Sequence, residues 1–139
     1  MSYLNIDNFY KNQDILLFRE CYAMEKIHGT SSHIRFDSAN NGGQVSFFSG
    51  GENHEKFTQL FNKEELTNIF RSKELSSVVY VFGEAYGGKQ QGMRKTYGEV
   101  LRFIVFEVKV GQYWLNVPKA EIFAKELGLD FVPYNRILT

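Results

Sequence analysis

The sequence predicts an α+β fold made mainly of antiparallel sheets with flanking helices. Segments rich in β-branched and aromatic residues are joined by glycine-containing turns, which favours hairpins and therefore antiparallel pairing. Two consecutive stretches show helical periodicity behind asparagine caps, and a third runs from a proline to a glycine. The elements follow the order strands, helices, strands, helix, strand, which is typical of the α+β class.

The N-terminal region reads as strands connected by turns. Residues 15–27 are apolar with interspersed charges and predict one or two strands that end at His28-Gly29. Within them, Tyr22, Met24 and Lys26 would share one face. The next segment, "SHIRF", predicts a returning strand.

A glycine turn and a further strand follow. "SANNGG" predicts a tight turn in which asparagine and glycine supply positive φ angles. "QVSFFSGG" predicts a strand that pairs back and ends at a glycine pair.

Two helices follow, each with its own cap signal. Asn53 can cap the first, and Asn62 with Glu65 has the spacing of a capping box for the second. Helical spacing predicts the buried stripes Phe57, Leu60 and Phe61 in the first helix, and Leu66, Ile69 and Phe70 in the second.

The C-terminal half adds strands and one helix. "SVVYVFGEAYGG" predicts a strand that ends in a glycine loop, and residues 100–117 predict a hairpin that turns at Gly111. Pro118 would take the first position of a helix that Gly128 closes. "DFVPYNRIL" predicts a last extended segment.

Composition limits the classes of protein to consider. The 139 residues suit a single domain over 1–139, and 43% hydrophobic residues place the chain among globular proteins. Sixteen basic and sixteen acidic residues remove the overall signature of a nucleic-acid binder, although a local basic groove remains compatible with them. A single cysteine, a polar N-terminus and no long apolar run predict an intracellular, cytoplasmic protein without a membrane segment. The three histidines lack zinc-site spacing, so no metal site is predicted.

The segment "MEKIHGTS" carries the most specific chemistry. Lys26 can act as a nucleophile only when its amine is neutral, and a lysine has a reference pKa of about 10.4. Gly29 would let the backbone approach a phosphate, and His28 could donate to a phosphate or a leaving group. Taken alone, the segment is more typical of a solvated lysine at a strand end followed by a turn.

Two further segments give this motif its context. "EKIHGTS" (25–31) resembles the nucleotide-attachment motif of the covalent nucleotidyltransferases, which include ATP-dependent RNA and DNA ligases and capping enzymes. Its Glu-Lys-Ile-His-Gly-Thr form is most similar to the phage-type RNA ligases that seal nicks in duplex RNA. "VYVFGEAYGG" (79–88) and "LRFIVFEV" (101–108) resemble the next two motifs of that family, in the right order.

The resemblance implies a role for each matched residue. Lys26 would attack the α-phosphorus of ATP and hold AMP as lysyl-AMP. Glu84 would accept hydrogen bonds from the ribose hydroxyls, and Phe106 would stack on adenine. The backbone around Glu25 and Ile27 would read the adenine edge, and Mg²⁺ would neutralise the triphosphate. AMP would then pass to an RNA 5′-phosphate, which an RNA 3′-hydroxyl would attack.

Two of these residues also have simpler interpretations. Glu84 has the position of an exposed acid at a hairpin end, and Phe106 alternates with Ile104 and Val108 as a core residue would.

The sequence departs from the family in its phosphate contacts. The family places an arginine near the phosphates after the first motif, whereas "FFSGGENHEKF" contains none. Ser49 and the following glycines, together with Lys56 or Arg35, are the candidates to replace it. The basic residues Lys89, Arg94 and Lys95 lie in a glycine-containing loop that reads as solvated but could touch RNA phosphates.

A second departure concerns the length of the domain. The Glu-Gly-x-Val and Lys-x-Lys strands of the family do not occur in these 139 residues, so the resemblance covers the N-terminal part of an adenylation domain. We expect the 139 residues alone to be inactive and to self-associate or to need a second polypeptide with the missing strands. The alternatives are a catalytically inactive nucleotide- or RNA-binding module and a small antiparallel interaction domain.

Overall fold

The computed structural model describes residues 3, 14, 19–39, 42–87 and 100–138. The described strands are β1 (Glu20–Met24), β2 (Thr30–Asp37), β3 (Gln44–Phe48), β4 (Val79–Tyr86), β5 (Arg102–Val110), β6 (Tyr113–Trp114), β7 (Asp130–Phe131) and β8 (Tyr134–Leu138). The described helices are α1 (His54–Thr58), α2 (Lys63–Ser72) and α3 (Val117–Glu126). Among them, none is long and apolar enough to cross a membrane.

The strands form two sheets, and antiparallel pairing dominates both. The larger sheet has the order β3-β2-β4-β5-β6, with β7 added beside β5. The pairing of β7 with β5 is parallel, and the other pairs of this sheet are antiparallel. β1 and β8 form a separate antiparallel pair. The predicted α+β class with mainly antiparallel sheets is confirmed.

One face of the larger sheet supports the hydrophobic core, because alternate side chains of its strands point to the same side. These core-face residues are fully buried and include Ile34, Phe36, Val79, Val81, Val105 and Val108. The helices cover this face: the Phe36 ring stacks on Phe70 of α2 with centroids 4.8 Å apart. The other face, which we call the open face, is the one that carries the candidate site.

Both predicted asparagine caps are present. Asn53 Oδ1 accepts a hydrogen bond from the Lys56 N–H, and Asn62 Oδ1 accepts one from the Glu65 N–H, each at 3.0 Å. The first apolar stripe is only partly correct: Phe57 is fully buried, but Leu60 is 38% exposed because α1 already ends at Thr58.

The third helix starts one residue earlier than predicted. Asn116 is its cap and Val117 its first residue, so Pro118 takes the second position rather than the first. Gly128 follows the helix with φ +77°, which only glycine adopts at little cost.

The pairing of the N-terminal strands differs from the prediction. β1 ends at Met24, so Lys26 follows the strand instead of lying on its face, and residues 15–18 lie outside the described part. β2 pairs with β3 and β4 rather than returning onto β1, whose partner is the distant β8. The hairpin of β2 and β3 was predicted and is confirmed. The pairs β1–β8 and β2–β4 could not be read from local pattern, because pairing between distant strands is decided by the whole fold.

The predicted turns are largely confirmed. Gly42 and Gly43 have positive φ angles, although Asn40 and Asn41 of the same turn lie outside the described residues. Gly111 turns the β5–β6 hairpin with φ +58°. The last extended segment divides into β7 and β8 around Pro133, because a proline has no N–H to continue a ladder.

The cap of α2 gives a direct test of how local structure contributes to stability. We expect Asn62→Ala to lower the free energy of unfolding by about 1 kcal/mol, because the Glu65 N–H loses its acceptor. Asn68→Ala is the matched control: Asn68 is exposed within the same helix, where alanine has the higher helix propensity. Urea denaturation of the three proteins measures both effects, and equal stability of the two variants would contradict the assigned cap.

Candidate functional site

A short segment between β1 and β2 carries Lys26. The Glu25 N–H donates to the Pro133 carbonyl at 2.9 Å, which ties the start of the segment to the chain before β8. Ile27 is buried in the hydrophobic core, whereas Lys26 and His28 on either side of it are exposed. The segment is therefore anchored at Ile27 and presents the lysine and the histidine outward.

Gly29 brings this segment against β4. A Cβ atom at Gly29 would lie 2.2 Å from the Ala85 carbonyl oxygen, a distance that no side-chain carbon tolerates. The glycine thus permits a backbone-to-backbone contact with β4. This contact alone requires a glycine here, and the predicted approach of a phosphate to Gly29 stays a prediction.

Glu84 lies next to that contact, on β4. It is half-buried, faces Ser31 of β2 and Ile104 of β5 across the ladder, and shares the open face with them. Its Oε2 atom is buried and accepts no hydrogen bond from any residue that the structure describes. Burial raises the pKa of Glu84, and the positive charge of Lys26 opposes that rise. The structure therefore brings Lys26 and Glu84 together, although they are far apart in sequence.

Phe106 lies in a β-bulge of β5. Phe82 pairs with Glu107 and Gly83 pairs with Val105, so Phe106 has no partner on β4. Bulges often redirect a side chain beside a functional site. Phe106 is half-buried, and its ring meets that of Tyr3 edge to face, with centroids 5.0 Å apart.

Tyr3 is a residue of the site region that the sequence did not mark. Its hydroxyl donates to Glu107 Oε2, and its ring contacts Phe82 and Trp114 in addition to Phe106. Burial and the bond to Glu107 raise the pKa of the Tyr3 hydroxyl. No hydrophobic periodicity surrounds Tyr3 in the sequence. The only signal related to it is Glu107, the acidic residue that follows Phe106 in the segment 101–108.

The candidate phosphate contacts occupy three different places. Ser49 is buried, and the Gly51 N–H two residues later donates to Thr30 Oγ1 at 2.8 Å. A Cβ atom at Gly50 would lie 2.2 Å from the Ser31 carbonyl oxygen, so this loop lies against the start of β2. Lys56 is exposed on α1, which packs through Phe57 on the core side of the sheet, opposite Glu84.

Arg35 is at the far end of the open face from Glu84. It is four residues beyond Ser31 on β2, which corresponds to about 13 Å along the strand. Its guanidinium donates to the Tyr80 hydroxyl at 3.2 Å and to Asp37 at 3.4 Å. Of the three candidates, the structure brings only the Ser49 loop beside the strand position that faces Glu84.

His33 fills the middle of the open face. It stacks on Phe48 with centroids 5.0 Å apart and also contacts Tyr80 and Phe82 edge to face. Burial, reinforced by the positive charge of Arg35, lowers the pKa of His33 to about 4. His33 is therefore neutral at physiological pH and acts here as an aromatic packing residue. Lys89, Arg94 and Lys95 lie outside the described residues.

Comparison with known proteins identifies relatives of this arrangement. The family model described as RNA ligase matches residues 19–137. A search of curated proteins finds no match. Two solved structures, forms 1 and 2 of an archaeal ATP-dependent RNA ligase, share the fold at 20% sequence identity, with TM-scores of 0.60 and 0.58. Each covers 86% of this chain and 32% of its own, so the chain spans about a third of their length.

Burial of Glu84 predicts how the stability of the protein depends on pH. A raised pKa means that the folded state favours the protonated carboxyl, so wild type loses stability as pH rises through the pKa of Glu84 in the folded state. Glutamine does not ionise, so the variant Glu84→Gln does not lose stability in this way. We expect this variant to match wild type at acid pH and to be more stable at neutral pH, with the difference reaching a plateau.

The measurement is the free energy of unfolding from about pH 3 to about pH 8, without ligand. Glu55→Gln, an exposed glutamate of α1, is the control and should show no such pH-dependent gain. A wild type that is more stable than Glu84→Gln at neutral pH would refute the assigned effect of burial.

Proposed function

Because the chain belongs to the RNA ligase family, we propose that it is the N-terminal part of the adenylation domain of an ATP-dependent RNA ligase. We propose further that the whole enzyme joins 5′-phosphate and 3′-hydroxyl ends of RNA, either at nicks or between single strands. The observation that carries the proposal is that the charge of Lys26 acts on Glu84, whose buried Oε2 atom has no hydrogen-bond partner among the described residues.

Lys26 is the proposed nucleophile. Its neutral amine attacks the α-phosphorus of ATP, a nitrogen–phosphorus bond forms, and the bond to the departing pyrophosphate breaks as the amine loses a proton. The product is lysyl-AMP. Lys26 is exposed among the described residues, so bound ATP itself would have to exclude water from the amine.

Glu84 is the proposed ribose ligand. A buried polar atom without a partner is rare and usually has a functional reason. The ribose hydroxyls are neutral donors, and Oε2, which accepts no hydrogen bond among the described residues, can accept one from them. Binding the ribose at Glu84 would hold the α-phosphate within reach of Lys26, since the two side chains already interact electrostatically.

Phe106 is the proposed adenine contact. Its half-buried ring lies in the bulge of β5, the strand that also carries Ile104 opposite Glu84. Stacking of a base on an aromatic ring contributes about 1–3 kcal/mol. The backbone of Glu25 and Ile27 is proposed to read the adenine edge, and His28 to contact a phosphate.

The phosphates and their counter-ion complete the proposal. The Ser49 loop is the candidate phosphate contact that lies against the start of β2, next to Ser31, and Arg35 and Lys56 would serve phosphates farther away. Mg²⁺ is proposed to accompany ATP and to neutralise its triphosphate. The described residues contain no group of three or more metal-binding side chains, so no step of the proposal depends on a metal held by them.

The alternative is a binding module without catalysis. The exposure of Lys26 favours this possibility, since little in the described part shields the amine from water. Such a module would bind ATP at Glu84 and Phe106 but transfer nothing to Lys26.

Covalent labelling separates the two functions. We expect the native polypeptide that carries these residues to retain label from α-labelled ATP, in a bond that survives base but not acid, as a phosphoramidate does. Lys26→Ala should abolish the label because the nucleophile is gone, whereas Lys119→Ala, an exposed lysine of α3, should retain it. Label on Lys26→Ala would refute the assignment, and ATP binding without label in wild type would support the alternative.

Phe106→Leu tests the adenine contact. Leucine keeps most of the apolar volume but loses the flat ring, so we expect about tenfold weaker ATP binding and a loss of about 1 kcal/mol in unfolding free energy. Phe48→Leu is the control, because Phe48 is 46% exposed at the other end of the open face. Calorimetric ATP titration and urea denaturation provide the two readouts. If ATP affinity is unchanged while the free energy of unfolding falls clearly, Phe106 is a packing residue and not an adenine contact.

A further inference from the structure

We infer that Tyr3 is a positioning residue that sets the orientation of Phe106 for nucleotide binding. This inference rests on the proposed function, because Phe106 matters to the reaction only if it contacts the adenine.

The bulge leaves the direction of Phe106 undetermined by the β4–β5 ladder. On either side of it, Val105 and Glu107 have register partners on β4, whereas Phe106 has none. An unpaired bulge residue lacks the ladder geometry that normally aims a side chain. Its orientation must therefore come from side-chain contacts.

Tyr3 contacts the bulge at two points. Its ring meets the Phe106 ring at an interplanar angle of 88°, a favourable edge-to-face geometry. Its hydroxyl donates to Oε2 of Glu107, the next residue along the strand. One side chain thus holds both Phe106 and its neighbour.

Tyr3 is itself fixed by the open face of the sheet. Its ring contacts Phe82 at 5.2 Å and Trp114 at 5.7 Å, again edge to face. Phe82 is fully buried, and Trp114 stacks on it with centroids 5.6 Å apart. The rings of Phe82 and Trp114 therefore fix the position of Tyr3, and Tyr3 in turn fixes the side chains of the bulge.

The hydroxyl has a specific reason to be there. Glu107 is half-buried, and burial raises its pKa, while the hydrogen bond from Tyr3 opposes that rise. A partly buried carboxylate is costly without a donor, so the Tyr3 hydroxyl stabilises it. Without the hydroxyl, the Glu107 carboxylate would lose this donor and would turn toward water. The backbone at Phe106 would then be held less firmly.

The experiment compares Tyr3→Phe and Tyr3→Leu with wild type in the native polypeptide. Tyr3→Phe keeps the ring contact and removes only the hydrogen bond, so it should still fold. We expect ATP to bind about three- to tenfold more weakly in this variant and still more weakly in Tyr3→Leu. The rate of lysyl-AMP formation at saturating ATP should change little, because Tyr3 does not touch the reacting atoms.

Two controls separate positioning from general destabilisation. Tyr113→Phe removes the same hydroxyl from a tyrosine that is 77% exposed on β6 and should leave ATP affinity unchanged. Glu107→Gln retains an acceptor for the Tyr3 hydroxyl and should bind ATP nearly as wild type does, whereas Glu107→Leu should not. A loss of ATP affinity that exceeds what the unfolding free energies of these variants account for indicates positioning.

The single tryptophan reports on the contact without ATP. Trp114 touches Tyr3, so Tyr3→Leu should shift its fluorescence emission, and Tyr113→Phe should shift it far less.

Suppose that wild type forms lysyl-AMP and that Tyr3→Phe binds ATP as tightly as wild type or more tightly. This result overturns the inference and leaves the proposed function intact. Wild type that neither binds ATP nor forms lysyl-AMP overturns both, even if the emission shift shows the Tyr3 contact to be present.

Discussion

The close approach of the Gly29 backbone to the Ala85 carbonyl is the contact on which the candidate site depends. A Cβ atom would fall 2.2 Å from that oxygen, so the two backbones can meet only because residue 29 has no side chain. This contact places the segment that carries Lys26 against β4 next to Glu84. The Glu25 hydrogen bond to Pro133 and the buried Ile27 hold the preceding part of the segment.

The two faces of the larger sheet have different roles: the core face supports folding, and the open face carries the candidate site. The core face is apolar and covered by helices, and it supplies the stability that the protein needs. The open face carries aromatic and charged side chains, and its polar groups are matched in most places: Arg35 pairs with Tyr80 and Asp37, and Tyr3 pairs with Glu107. Glu84 is the exception, with a buried oxygen that accepts no hydrogen bond among the described residues. Proteins tend to break the rule of satisfied polar groups at functional sites, where a ligand completes the bonding.

The Lys26 segment and the Phe106 bulge are held by parts of the chain that are remote in sequence. Glu25 bonds to the carbonyl of Pro133, and the Arg136 guanidinium pairs with Glu20 across the β1–β8 sheet. The position of the Lys26 segment therefore depends on contacts with residues near the other end of the described chain.

The sequence by itself determined the class of fold, the caps of the helices and the positions of the glycine turns. These features are local: an asparagine cap bonds to a residue three positions away, and a positive φ is a property of one residue. Three short motifs also pointed to Lys26, Glu84 and Phe106 as members of one site. Their pattern resembled a family, and the family model that covers residues 19–137 confirms that relationship.

Only the tertiary structure decided which strands pair beyond the predicted hairpins, and hence which distant residues meet. β1 pairs with β8 rather than with β2, and the predicted last strand divides between two sheets, because long-range pairing depends on where the whole core places each edge. The same holds for the site. The bulge at Phe106, the contact of Tyr3 with Glu107 and the distance of Arg35 from Glu84 each arise from register between strands. Register depends on the combined packing of both faces, and the residues on one strand do not encode it alone.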